Sequence, residues 1–242
     1  MEKIIRYQFS TFGKYNVSPE PNIISKLMTE LNKDSTVMFL PNIVNTQQVE
    51  IPTNKITTIS NLGFIDNSRM YSLVILEDRI DFNYNIIDEP NINLEKLNDL
   101  SMDIMEKIFN TLDLTSNRLA VNLQLVHLMN SSEQLMKFGN RIINGIDFYK
   151  KNQLCEWSSR VNSQLQINME DQKETINVIT DIAAGENSID NELGVLYHID
   201  INTIPEMMDF RFKKDSFKSF LSNIKPVASN IIDEVKGLLA ND

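Results

Sequence analysis

The sequence predicts an α+β fold in two similar halves, residues 1–115 and 116–242, on three observations. Runs with strand-like alternation and runs with helical spacing follow one another in the same order twice. A short motif, Ile-Asp-hydrophobic-Asn, occurs at Ile80 to Asn83 and again at Ile199 to Asn202, 119 positions later in a chain of 242. Hydrophobic residues make up 42% and charged residues 23%, the balance of a chain that buries a core and unlike that of a disordered one. Each half is expected to run strand, helix, three-strand meander, helix, giving antiparallel sheets with helices packed on one face.

The first half opens with "IIRYQF", where Ile5, Tyr7 and Phe9 alternate as the buried side of a strand. Pro19 and Pro21 precede "NIISKLMTELN", in which Ile23, Ile24, Leu27, Met28 and Leu31 fall at helical spacing. A stretch punctuated by Pro41 and Pro52 reads as a loop. "KITTISNLGFI", "MYSLVILE" and "RIDFNYNI" then read as three strands separated by Asp, Asn and Ser turn residues. Leu94, Leu97, Leu100, Ile104, Ile108 and Leu112 form the apolar stripe of a long helix that closes the half.

The order restarts at "NRLAVNLQLVHLM", a strand with Leu119, Val121, Leu123 and Leu125 on one side, with the halves joined near Leu114 to Asn117. A short helix follows, with Ser131 or Ser132 as its cap. "CEWSSRVNSQLQIN", "ETINVITDIAA" and "GVLYHIDINT" supply three more strands, and a terminal helix carries Pro226, which is expected to kink it. The repeated motif lies in the last strand of each meander. Arg79, Asp81 and Asn83 share the polar side of one copy, and His198, Asp200 and Asn202 share that of the other. Internal duplication accounts for both copies, with coincidence between two amphipathic strands as the alternative, and the recurrence argues against Asp81 or Asp200 being a unique catalytic group.

The formal charge of -10 is unevenly distributed. Between Leu165 and Phe210 ten acids face a single base, Lys173, and the cluster Arg211, Lys213, Lys214 and Lys218 follows directly, placed to neutralise them. Extended nucleic-acid contact is disfavoured, because phosphate neutralisation needs clustered Lys and Arg. No apolar run approaches the ~20 residues that cross a bilayer, so no membrane partner is expected. Cys155 is the only cysteine, which fits a reducing compartment and a cytoplasmic location.

Chemistry is sparse. The seven glycines form neither a GxGxxG turn nor a phosphate loop. His127 and His198, the only histidines, lie on strands with no metal-ligand spacing, and His198 with Asp200 reads as cross-strand hydrogen bonding. Cys155 lacks the polarising surroundings of a nucleophile, and Trp157 reads as core. No catalytic residue, metal site or cofactor is assigned. The acidic stretch "AAGENSIDNELG" is the most distinctive surface feature; it reads as a solvated turn between strands, with Glu186, Asp190 and Glu192 as candidate contacts for a basic protein patch or, without the ligand pattern of an EF-hand, for a cation.

The strand "YSLVILEDRIDFNYN" leading into the helix at Leu94, the strand "NRLAVNLQLVH" and the ending "HIDIN" before a long helix resemble a sporadically distributed family of uncharacterised bacterial proteins of about this length, built from two α+β halves. The likeness spans roughly residues 60 to 240. It implies the fold and a bacterial or phage setting, with no catalytic residues to carry over. The expected function is a non-enzymatic binding or assembly protein, a subunit of a defence or counter-defence complex, with a protein partner or self-association. The alternative is a hydrolase or nuclease subunit using dispersed carboxylates, which requires several acids to converge in one pocket.

Overall fold

The computed structural model describes residues 2–50, 55–86, 93–143, 147–152, 154–170, 172–186 and 193–240. Its elements in chain order are β1 (Glu2–Phe12), α1 (Pro21–Asn32), β2 (Phe39–Glu50), β3 (Lys55–Asp66), β4 (Tyr71–Ile75), β5 (Arg79–Asn85) and α2 (Leu94–Leu112). They continue with β6 (Arg118–Leu128), α3 (Ser132–Ile142), α4 (Asp147–Lys151), β7 (Ser158–Met169), β8 (Gln172–Glu186), β9 (Leu193–Thr203) and α5 (Lys214–Ala240). The α+β class is observed.

The nine described strands form one sheet, in the order β2-β3-β4-β5-β1-β6-β9-β8-β7, and every pairing among them is antiparallel. This corrects the expectation of separate sheets. β1 and β6, the opening strands of the two stretches, pair at the centre with Phe9 opposite Val121. Residues from both stretches share one hydrophobic core. The connector is ordered: Asp113 takes a left-handed conformation to end α2, Ser116 N–H donates to Phe212 O at 2.9 Å, and Asn117 N–H donates to Phe12 O at 2.9 Å.

The first meander has four strands where three were expected. The segment around Pro41, read as a loop, is β2, which pairs with β3 from Phe39↔Asp66 to Glu50↔Lys55. β2 lies at the sheet edge, where a proline removes no ladder hydrogen bond that a neighbouring strand needs. A second difference is a bulge between Ile4 and Arg6 of β1. Ile4, opposite Leu125, packs on the core, whereas Ile5, expected on the buried side with Tyr7, is the bulge residue with no partner on β6, its carbonyl accepting from Ile86 N–H at 3.1 Å.

α1, α2, α3 and α5 lie on one side of the sheet. Tyr7 and Phe9 point toward them: the Tyr7 hydroxyl meets Asn98 and Ser101 of α2, and Phe9 packs edge-on against Phe217 of α5. α1 packs on α2 and α2 on α5. Asn93 caps α2 by accepting from Lys96 N–H at 2.8 Å, and Ser131 caps α3 by accepting from Gln134 N–H at 3.3 Å. Trp157 is buried against Phe138 of α3, as expected of a core residue. α5 runs unbroken through Pro226.

Candidate functional site

Strand alternation sends every second side chain away from the helices. On β5, β1, β6 and β9 the buried rows include Phe82, Phe9, Val121 and Ile201, which lie directly opposite one another. One position along each strand, the side chains face the opposite side. Asn83, Gln8, Asn122 and Asp200 make one such row, continued by Ile179 and Asn162 on β8 and β7. The next row is Asn85, Arg6, Gln124, His198, Asp181 and Arg160. None of α1, α2, α3 and α5 covers this face, which is a broad, mostly polar surface floored by the sheet.

Its side chains are cross-linked. Asp81 accepts from Ser10 Oγ at 2.6 Å and makes a charge contact with Arg79 Nε at 2.8 Å. Burial nevertheless raises the Asp81 pKa, since desolvation outweighs the Ser10 hydrogen bond and the positive charges of Arg79 and Arg6. His198 Nε2 lies 2.6 Å from Asn122 Oδ1 across the strand pair, and burial lowers the imidazole's pKa against the opposing pull of Asp200 and Asp181. Asn202 donates to Asp200 at 2.9 Å, and Arg160 meets Asp181 at 3.3 Å. At the far end Phe12 lies between Arg79 and Arg118 in register, with the Arg118 guanidinium 4.7 Å over its ring.

Charge on this face inverts that of the chain. From β5 through β7 its strands present Lys3, Arg6, Arg79, Arg118, Arg160 and Lys173 against Asp81, Asp181 and Asp200, six positive groups to three negative, in a protein of net charge -10. Among the described residues Arg6 and Arg118 make no ion pair. Sequence reasoning identified the polar sides of β5 and β9. The merged surface escaped it, because the joining pair β1 and β6 has no local signature.

Among the described residues, those singled out from sequence do not gather into one site. Glu186 closes β8 and pairs with Leu193, but its side chain, Asp190 and Glu192 all lie outside the described residues. His127 is on the helix side of β6 opposite Val195, one position out of phase with the open face. Cys155 is exposed ahead of β7. Asp81 and Asp200 share the open face but hold different partners. Among the described residues no three His, Cys, Asp or Glu side chains are grouped to hold a metal ion. No described helix is long and apolar enough to cross a membrane.

Fold and surface together define an α+β protein with one helix-covered and one open, amide-rich and arginine-rich sheet face. Compared with protein-family models, curated proteins and solved structures, the chain matches none.

Proposed function

We propose that the chain is a non-enzymatic binding or assembly protein that presents its open sheet face to an acidic surface of a protein partner. The observation that carries this reading is the charge inversion: a face with an excess of cations on an acidic protein is complementary to acidic partners and steers them to one side of the molecule. Eight amide side chains, Gln8, Asn83, Asn122, Gln124, Asn162, Gln164, Asn177 and Asn202, add donors and acceptors on the same face. The carboxylates there are paired to Ser10, Arg79, Asn202 and Arg160, an arrangement that favours recognition over acid-base chemistry.

The register also supports an internal duplication into residues 1–115 and 116–242. Asp81 pairs with Ser10, and Asp200 pairs with Asn122. In the sheet order β5, β4 and β3 follow outward from β1 as β9, β8 and β7 follow outward from β6. A local two-fold axis through Phe9 and Val121 is the consequence. Membership of a bacterial or phage defence or counter-defence complex is the setting we propose on the family resemblance alone. Glu186, Asp190 and Glu192 keep their sequence-based reading as contacts for a basic patch.

The test is to isolate a complex from cells expressing the chain and rebuild it from purified components with an Arg6→Ala, Asn122→Ala, Gln124→Ala variant. The partner is expected to associate more slowly and to lose most of its affinity, with slower association more marked at low salt. Unchanged affinity in a folded triple variant would remove the open face from the interface.

A further inference from the structure

We propose that β7 is a dimerisation strand: two copies of this chain join antiparallel along β7 about a two-fold axis at Ser163, making one sheet of twice nine strands. β7 ends the sheet order, so one side of its backbone has no strand neighbour among the described residues. Its seven consecutive residues from Arg160 to Gln166 are all exposed. Beyond them the strand is covered: Ile167 and Met169 are buried, Asn223 of α5 donates to Asn168 O at 2.8 Å, and Ser219 of α5 accepts from Glu170 N–H at 3.3 Å. Ser163 is the midpoint of the open window.

The sequence of that window is self-complementary about this midpoint. Val161, 60% exposed, and Leu165, 42% exposed, lie two positions to either side of Ser163 on the same face. An axis at Ser163 therefore puts Val161 opposite the partner subunit's Leu165, and Leu165 opposite the partner subunit's Val161. Each apolar side chain leaves water against the other, the kind of cross-strand pair that stabilises an antiparallel ladder. On the other face Asn162 meets an amide, the partner subunit's Gln164, and Arg160 meets the partner subunit's Gln166. No like charges oppose, whereas an axis at Arg160 would stack two guanidinium groups.

The opposite edge is protected, and among the described residues this one is not. β2 carries Pro41, and Asn32 occupies both the N–H and the C=O of Phe39 at its start. β7 has no proline and a single charged residue, Arg160, where edge strands that avoid pairing usually carry several such devices. Side chains directly opposite in an antiparallel pair lie on one face, so the dimer also sets both open polar faces on the same side. This inference stands on the β7 edge and is independent of what the open face binds.

A disulfide tests the register. In a Cys155→Ser background, Ser163→Cys brings the two new thiols together at the axis, because opposite residues in an antiparallel pair have Cα atoms about 4.5–5.5 Å apart, within disulfide reach. Mild oxidation is expected to convert the 27.9 kDa chain to a covalent dimer with Ser163→Cys and not with Gln166→Cys, whose thiols are held far apart. By sedimentation, Val161→Lys with Leu165→Lys is expected to weaken the dimer at least about tenfold, since it removes both apolar pairs and opposes like charges. Both sites are exposed, so the far-ultraviolet spectrum and melting of the monomer should be unchanged. A wild-type chain that stays monomeric at high concentration, a dimer indifferent to the double lysine variant, or equal cross-linking at both cysteine positions overturns the proposal.

Discussion

Arg211 grips Glu174 with two hydrogen bonds, Nε to Oε1 at 2.8 Å and Nη2 to Oε2 at 3.0 Å, in a pair of which the glutamate is nearly fully buried. The remaining guanidinium nitrogen donates to the carbonyls of Asn117, Met207 and Asp209. One side chain thus ties β8 to the connector before β6 and to the segment leading into α5. The basic cluster after the acidic segment neutralises it here through one specific ion pair.

Removing either member leaves a buried charge without its counter-ion. Glu174→Ala and Arg211→Met are each expected to lower stability by about 3–5 kcal/mol, read as a shift in the urea midpoint. Arg211→Lys should fall between these variants and wild type, because an ammonium cannot reproduce the paired fork. Wild-type stability in Arg211→Lys would mean that charge alone matters at this site.

The Tyr7 hydroxyl is buried between Asn98 Oδ1 at 3.0 Å and Ser101 Oγ at 2.8 Å, and burial drives its pKa far above the ordinary tyrosine value. The hydroxyl therefore stays protonated and joins β1 to α2. Tyr7→Phe keeps the ring in the core but leaves Asn98 and Ser101 without this partner, a loss of about 1–3 kcal/mol. Restoring most of that stability with Asn98→Leu in the Tyr7→Phe background would identify the unpaired amide as the source.

Asp81 gives a pH dependence of known sign. Its pKa is raised in the fold, so folding favours the protonated carboxyl: the contribution is full below the unfolded aspartate value and is lost as pH rises through the folded one. Asp81→Asn retains an acceptor for Ser10 and cannot ionise. Relative to wild type, its stability is expected to improve as pH rises from the ordinary aspartate range toward neutrality. A difference that stays flat, or moves the other way, would show that the Arg79 contact dominates desolvation.

How much of this could be read from the sequence depends on the distance over which each signal acts. α2 was legible because its apolar stripe is local, and β5 and β9 because alternation is local. β2 was missed for the same reason: Pro41 and the asparagines around it are loop signals over a few residues, and only pairing with β3 makes that stretch a strand. The union of both stretches in one sheet rests on Phe9 opposite Val121, more than a hundred residues apart in sequence, and nothing near either residue announces it. The open face followed the same division. Its polar sides were visible strand by strand, while the contact between His198 and Asn122 required the register of β6 on β9.

That contact yields the last prediction. Burial lowers the His198 pKa, so the fold holds a neutral imidazole, with Nε2–H the tautomer that lets Asn122 Oδ1 accept. For a depressed histidine the stabilisation is complete above the unfolded value of about 6.5 and is lost as pH falls toward the folded one. Acidification below that point should destabilise the wild type, and His198→Gln, which keeps a donor for Asn122 and does not titrate, should remove this part of the pH dependence. A titration of the His198 ring by nuclear magnetic resonance supplies the independent check, since its midpoint must lie below that of a histidine in the unfolded chain. If the imidazole instead titrates above the unfolded value, the carboxylates of Asp200 and Asp181 outweigh burial. Acid would then strengthen the fold at this position, and the open face would gain a further positive charge as pH fell.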